Sequence, residues 1–262
     1  SILTTFMAYE RKGLMPNLFP EGKTEPMYNT ADAALQFINC VYLYFRRTRD
    51  LNFAAQAFPV MERIVSNYRR GTDYGIRMED DGLIRAGEGL WQVTWMDVRV
   101  DDILPTPRHG KPVELNACWY NAMKIMDFFC VLLSKPRGDY EALAQQIRAS
   151  FRKQFWHPKG YLRDVISGTS ADDQIRCNQI WAVTMPFTML EPDQARQVVR
   201  TVACHLYTPV GLRTLSPEDK QFHPDYGGPQ KVRDLAYHQG TVWPFPLGAF
   251  YLAWLKVHDY SQ

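Results

Sequence analysis

Apolar side chains at Ala31, Ala34, Leu35, Ile38, Val41, Tyr42 and Phe45 recur at intervals of three and four, the period of a helix. Ala33, Phe37, Cys40 and Tyr44 form a second stripe along its other side, so this helix requires protein on most of its circumference. The following segment has one stripe only. Ala54, Ala55, Phe58, Met61, Val65 and Tyr68 lie opposite Gln56, Arg63, Asn67 and Arg70, which predicts a helix with one face in water. The alternation then returns. Val113 to Leu133 is apolar nearly all round, whereas Asp139 to Phe155 has a single stripe of Tyr140, Leu143, Ala144, Ile147 and Phe151. Asn178 to Met189 is apolar on most sides, and Pro192 to Leu206 is one-sided through Ala195, Val198, Val199, Val202 and Leu206, ending before Pro209. A first, one-sided helix over Ser1 to Lys12 and a last, apolar one from about Gln239 to His258 bring the count to about eight, with very little strand signal. Alternating inner and outer helices predict an all-α fold of helical hairpins in two layers, an (α/α)6 toroid. Six hairpins close such a ring and four do not. Residues 1–262 are therefore expected to form a single segment of a toroid that lacks its first and last hairpins.

Composition narrows the function without changing this picture. With 262 residues, 46% hydrophobic and 22% charged, the chain has material for a large core and is not a disordered segment. Thirty Lys and Arg against 28 Asp and Glu leave a net charge of +2, and no block of like charge occurs, so nucleic acid is not expected as a partner. The five cysteines, Cys40, Cys118, Cys130, Cys177 and Cys204, never form a CxxC pair and read as reduced thiols of a cytoplasmic protein. Ser1 to Glu10 lacks the basic and apolar regions of a secretory signal, although a chain that opens on Ser is not necessarily at its natural start. Val113 to Leu133 has membrane length but contains Glu114, Asn116, Asn121, Lys124 and Asp127, which makes it a buried helix of a soluble domain. The six histidines are dispersed and no glycine-rich phosphate loop occurs, so neither metal nor cofactor is expected.

Polar residues that a buried helix should not tolerate gather at its start, four times over. They lie in Tyr28–Asp32, Val113–Asn121, Ile175–Trp181 and Tyr237–Trp243. If the inner helices run parallel, these clusters share one rim. The side chains singled out are Tyr28, Asn29, Asp32, Glu114, Asn116, Trp119, Asn121, Asn178, Gln179, His238, Gln239 and Trp243, with Trp95 from a preceding loop. Aromatic rings stack on the apolar face of a pyranose and amides bind its hydroxyls, so the set suits a sugar. Helix caps and loop anchors are the alternative reading of any one cluster. Trp181 is a further possible ring platform, and His109, on a Pro-bounded loop, is expected to hold that loop in place. Asp97, after Trp95 and Met96, is the sharpest catalytic candidate. A carboxyl among large apolar groups is disfavoured as an anion, which suits a general acid. An exposed loop Asp is the competing reading on spacing alone.

Longer strings decide between these. TWMD (Thr94–Asp97), TPRHGKPVELNACWYNA (Thr106–Ala122), RCNQIWAVTMPF (Arg176–Phe187), GLRTLSPED (Gly211–Asp219) and YHQGTVWP (Tyr237–Pro244) resemble, in order, the C-terminal domain of glycogen debranching enzymes, the amylo-α-1,6-glucosidase family. The resemblance runs from Pro16 through YNTADA to the last helix and is closest to the bacterial type. It implies an α/α toroid and an inverting glycoside hydrolase that releases the single α-1,6-linked glucose of a branch stub, with no cofactor. Asp97 matches the family's acid. An inverting enzyme also needs a base roughly 6.5 to 9.5 Å away. The eukaryotic branch has a Glu within the motif matched by YHQGTVW, but here Thr241 and Val242 stand in it. The bacterial branch has one in a later SEIFDG-like segment, which this chain does not reach before Gln262, and a GRDT-like segment is missing ahead of the first helix. Glu114 and Asp164 are fallback bases. Rival readings are another toroidal glucosidase, trehalase-like or acting on a trimmed oligosaccharide, and a glycan-binding module that has lost catalysis. Oligomeric state is not legible.

Overall fold

The structure, a computed structural model, describes residues 2–22 and 25–260. Its helices are α1 (Ile2–Tyr9), α2 (Ala33–Thr48), α3 (Leu51–Arg70), α4 (Val113–Leu132), α5 (Tyr140–Phe155), α6 (Trp181–Thr184), α7 (Pro192–His205), α8 (Gln230–Ala236) and α9 (Pro246–Val257). The chain divides into two compact units, residues 1–95 with 118–150 and residues 96–117 with 151–262, so α4 and α5 each contribute to both.

In the first unit α2 and α3 pack together through the stripes the sequence shows. Leu35, Ile38, Tyr42 and Phe45 of α2 are buried, as are Ala54, Phe58, Met61 and Val65 of α3. Asp50 starts α3 by accepting the Phe53 N–H, which satisfies one donor left open by the first turn. Tyr42 and Phe45 meet Phe129 of α4 edge to face, a favourable arrangement of ring quadrupoles. α4 is enclosed along nearly its whole length, as its pattern predicts. In the second unit α7 opens with Pro192 and a capping box between Glu191 and Gln194, and α6 ends where the Lys256 ammonium of α9 donates to the carbonyls of Val183, Thr184 and Met185.

Several expectations are corrected. The fold is not all-α. Among the described residues, ten strands of two or three residues form four small sheets: β1 (Arg77–Met78) with β2 (Ile84–Arg85); β3 (Lys111–Pro112), β6 (Val165–Ser167) and β7 (Ser170–Asp172); β4 (Trp156–His157) with β5 (Tyr161–Leu162); and β8 (Tyr207–Thr208), β9 (Gly211–Arg213) and β10 (Val242–Trp243). The helix expected over Asn178–Met189 shrinks to a 3-10 turn (Cys177–Ile180) and the single turn α6, because Pro186 forces Met185 out of helical backbone to φ −52°, ψ 145°. The helix expected from Gln239 begins only at Pro246, since Gly240 sits at φ +128° and Pro244 follows. It is also not enclosed. Tyr251, Leu252, Trp254 and Leu255 of α9 are exposed, as are Cys40 and Leu43 of α2. At the first helix, expected from Ser1, that residue lies outside the described ones and α1 ends at Tyr9.

Candidate active site

The second unit brings its polar residues together through short backbone pairings. β3 pairs with β6 through Lys111–Ile166 and Pro112–Val165, and the Val113 N–H donates to the Asp164 carbonyl at 2.9 Å. This sets Glu114, in the first turn of α4, beside Asp164. Only glycine fits at Gly110, where φ is +128° and a Cβ would stand 2.5 Å from the Ile166 carbonyl oxygen. β7 then returns along β6 and carries Asp172 back opposite Val165.

Two guanidiniums organise what these turns assemble. Arg108 is 1% exposed; it donates to Asp164 Oδ2 at 2.8 Å and Oδ1 at 3.2 Å, and to both carboxylate oxygens of Glu114. Burial works against its charge, but the two carboxylates outweigh it and hold Arg108 well above its ordinary pKa. Arg176 is 3% exposed; it donates to the carbonyls of His238 (2.8 Å) and Thr214 (3.3 Å) and to the side-chain oxygens of Gln239 and Gln174, both at 2.8 Å. Asn178 closes the cluster by donating to Asp164 Oδ1 at 2.8 Å. The Arg108 charge is thus met by two carboxylates and the Arg176 charge by four carbonyl and amide oxygens, which is how a buried ion is tolerated.

Asp97 is buried in this unit, at 5% exposure. Its neighbour Met96 is held from three sides. Thr106 Oγ1 donates to the Met96 carbonyl at 2.9 Å, and Asn178 Nδ2 and Arg176 Nη1 donate to its sulfur at 3.4 and 3.7 Å. His238 is buried and its pKa is pushed down to about 3, by burial first and then by the charges of Arg176 and Arg108. It is therefore a neutral imidazole at ordinary pH. Gln239 donates to the Pro105 carbonyl at 3.0 Å while accepting from Arg176. Trp243 is half-buried and sits beside the rings of Tyr237 and His238. Gly240, between them, could carry no side chain: a Cβ would come within 2.4 Å of Phe222.

A cavity of about 400 Å³ opens beside this cluster, bounded by Pro105 to Arg108, Asp172, Gln174, Arg176 and Gln221. Burial raises the Asp172 carboxyl above the ordinary range, and the nearby Asp164 charge adds to the effect. None of these wall residues was singled out from the sequence. Arg108 and Arg176 lie inside strings that were, and a guanidinium that is buried must find carboxylates or carbonyls.

The remaining predicted residues are distributed unevenly. In the second unit Asn116 is wholly buried and donates back to the Pro112 carbonyl, and both ends of the Gln179 amide are used, by Leu162 N–H and the Arg176 carbonyl. Glu114 is occupied by Arg108. In the first unit the Tyr28 hydroxyl donates to the Tyr9 carbonyl, Asn29 to the Gln92 carbonyl, and Asn121 to Asn39. Asp32 and Trp95 are half-buried. Trp119 is 0% exposed, stacked on Tyr68 with its indole N–H donating to the Gly82 carbonyl, so no ring face is open to a sugar. Among the described residues no group of three or more His, Cys, Asp and Glu has the arrangement to hold a metal ion.

Comparison with known proteins bears on family and fold. A family model described as amylo-alpha-1,6-glucosidase matches residues 1–262. The glycogen debranching enzyme of Saccharomyces cerevisiae is 25% identical over 95% of this chain, which corresponds to 22% of that protein, so the chain spans about a fifth of this relative's length. Among solved structures, a mannosylglycerate hydrolase of glycoside hydrolase family 63 from Thermus thermophilus aligns with 99% of this chain and 76% of its own, at 13% identity and a TM-score of 0.67. A rhamnosidase from Klebsiella oxytoca aligns with 77% of this chain and 36% of its own, at 18% identity and a TM-score of 0.56. At these identities the likeness concerns the fold, which in these glycosidases is of (α/α)6 type.

Proposed function

The chain belongs to the amylo-alpha-1,6-glucosidase family, and on that premise we propose that it carries the acid side of an inverting glycosidase that releases glucose from the α-1,6 branch stubs of glycogen or limit dextrin. Asp97 gives its proton to the glycosidic oxygen. The C1–O bond breaks with its electron pair going to that oxygen, water adds to C1 from the opposite face, and a second carboxylate takes the proton that the water loses. The observation that carries the reading is the placement of Asp97, sheltered from water and directly after a residue held by three hydrogen bonds. Shelter favours the protonated carboxyl that an acid requires. His238, neutral at working pH, can exchange hydrogen bonds with sugar hydroxyls in either sense, and Trp243 beside it supplies a ring face.

The fallback bases fare worse. Glu114 and Asp164 are both engaged by Arg108 and buried, so neither is placed to activate water. The base is accordingly a carboxylate other than these two. The free thiols, three of them buried, suit a cytoplasmic location, and no described helix is long and apolar enough to cross a membrane.

A substrate panel on the full-length protein tests the proposal. Glucose release from phosphorylase-limit dextrin should exceed release from trehalose or trimmed oligosaccharides, with the β-anomer formed first. Preference for another glucoside would indicate a toroidal glucosidase of different specificity. Glucan binding without turnover, indifferent to Asp97→Asn, would indicate a binding module.

A further inference from the structure

We propose that Arg176 is a positioning residue for the acid, fixing the Asp97 carboxyl through Met96 and tying its placement to the sugar-facing segment at His238 and Gln239. The inference rests on the reading of Asp97 as general acid and goes beyond it, since Arg176 itself is placed one residue away from the reacting group.

Four stretches far apart in the chain meet at this guanidinium. Its Nη1 reaches the sulfur of Met96 at 3.7 Å and the carbonyls of Thr214 and His238, and its Nη2 reaches the side-chain oxygens of Gln174 and Gln239. Gln239 passes the connection on to the Pro105 carbonyl, and Thr106, next in the chain, returns it to the Met96 carbonyl at 2.9 Å. The circuit closes on the residue before Asp97. A simple structural anchor would not need this form. Burial opposes the Arg176 charge and lowers its pKa, while its nearest carboxylate oxygen, on Asp164, is 3.9 Å away. The charge is met chiefly by carbonyl and amide oxygens of the acid-bearing and sugar-facing segments. A planar fork of five donors can meet several acceptors at fixed angles, and lysine, with a tetrahedral ammonium, cannot reproduce the set. A general acid needs such fixing because displacement of a reacting group by about 1 Å costs on the order of 10²-fold in rate.

The test compares two substrates in the full-length protein. Glucose leaves limit dextrin only with a proton on the departing oxygen, whereas fluoride leaves α-glucosyl fluoride as the anion and needs no acid. Asp97→Asn should abolish turnover of the dextrin while sparing the fluoride. If it spares both or destroys both, the reading of Asp97 fails and the present inference with it. Given that selectivity, Arg176→Lys should lower kcat/KM on the dextrin by about 10- to 100-fold more than on the fluoride and move the alkaline limb of the dextrin kcat profile. Equal losses on both substrates would make Arg176 a structural anchor and overturn the proposal. Should Arg176→Lys fail to fold, Thr106→Val and Met96→Leu cut the same circuit at nearly constant volume. The same selective loss in these variants supports the proposal, and loss on neither substrate or on both overturns it.

Discussion

In the first unit, buried Asn29, Asn121 and Trp119 each end on a neutral partner: the Gln92 carbonyl, the Asn39 side chain and the Gly82 carbonyl. In the second, Asn178 and Gln239 end on Asp164 and Arg176, and these ions reach on to residues from other stretches of chain. A neutral amide is satisfied by one or two bonds wherever it lies. A buried charge needs several, and Arg108 and Arg176 thereby draw distant segments to one point in the second unit, whereas buried Asp127 of the first is met by Arg137 ten positions away. Residue type at a helix start therefore does not separate a pin from a site; the company of a buried ion does.

The contrast breaks most sharply at Arg108. Arg108→Met leaves Glu114 buried without its counter-charge and Asp164 with only Arg176 at 3.9 Å, and should cost about 3–5 kcal/mol in urea unfolding. Replacing all three with apolar or neutral residues should recover most of it. A cost below about 1 kcal/mol would mean that these ions matter no more than a neutral hydrogen bond. In the first unit Trp119→Phe, which strands the Gly82 carbonyl, should cost about 1–3 kcal/mol of stability and leave glucan affinity unchanged. Trp243→Ala should do the reverse, weakening glucan binding with little effect on unfolding.

Acid sensitivity belongs to the second unit for the same reason. His238 titrates at about 3 when folded, against an ordinary value of 6.5. As pH falls below 6.5 the unfolded chain takes up a proton that the folded chain refuses, so stability declines until about pH 3, by up to about 1.4 kcal/mol per pH unit. His238→Gln should flatten that slope between pH 6 and about 4; an unchanged slope would place the acid sensitivity elsewhere. The smallest effect is expected at Asn121→Ala, about 1 kcal/mol, independent of pH.

Helices whose period runs without interruption were legible almost to the residue, as α4, α5 and α7 show. Where Pro186, Gly240 and Pro244 intervene, backbone geometry overrides a pattern that still reads as helical, and two expected helices are cut short. Strands of two or three residues are too short to show alternation, and α8, QKVRDLA, has too few apolar positions to show a period. Asp97 entered as a candidate through family resemblance. The ions around it were not, because Arg108 meets Asp164 across 56 positions and Arg176 meets Gln239 across 63, and no local rule pairs residues at such distances.

The central claim, that a buried Asp97 supplies the proton, is tested most directly by the rate of glucose release from limit dextrin in full-length Asp97→Asn, measured with the dissociation constant for glucan. A fall of about 10²–10⁴-fold at unchanged affinity is the expected result. Release at close to the unmodified rate would contradict it.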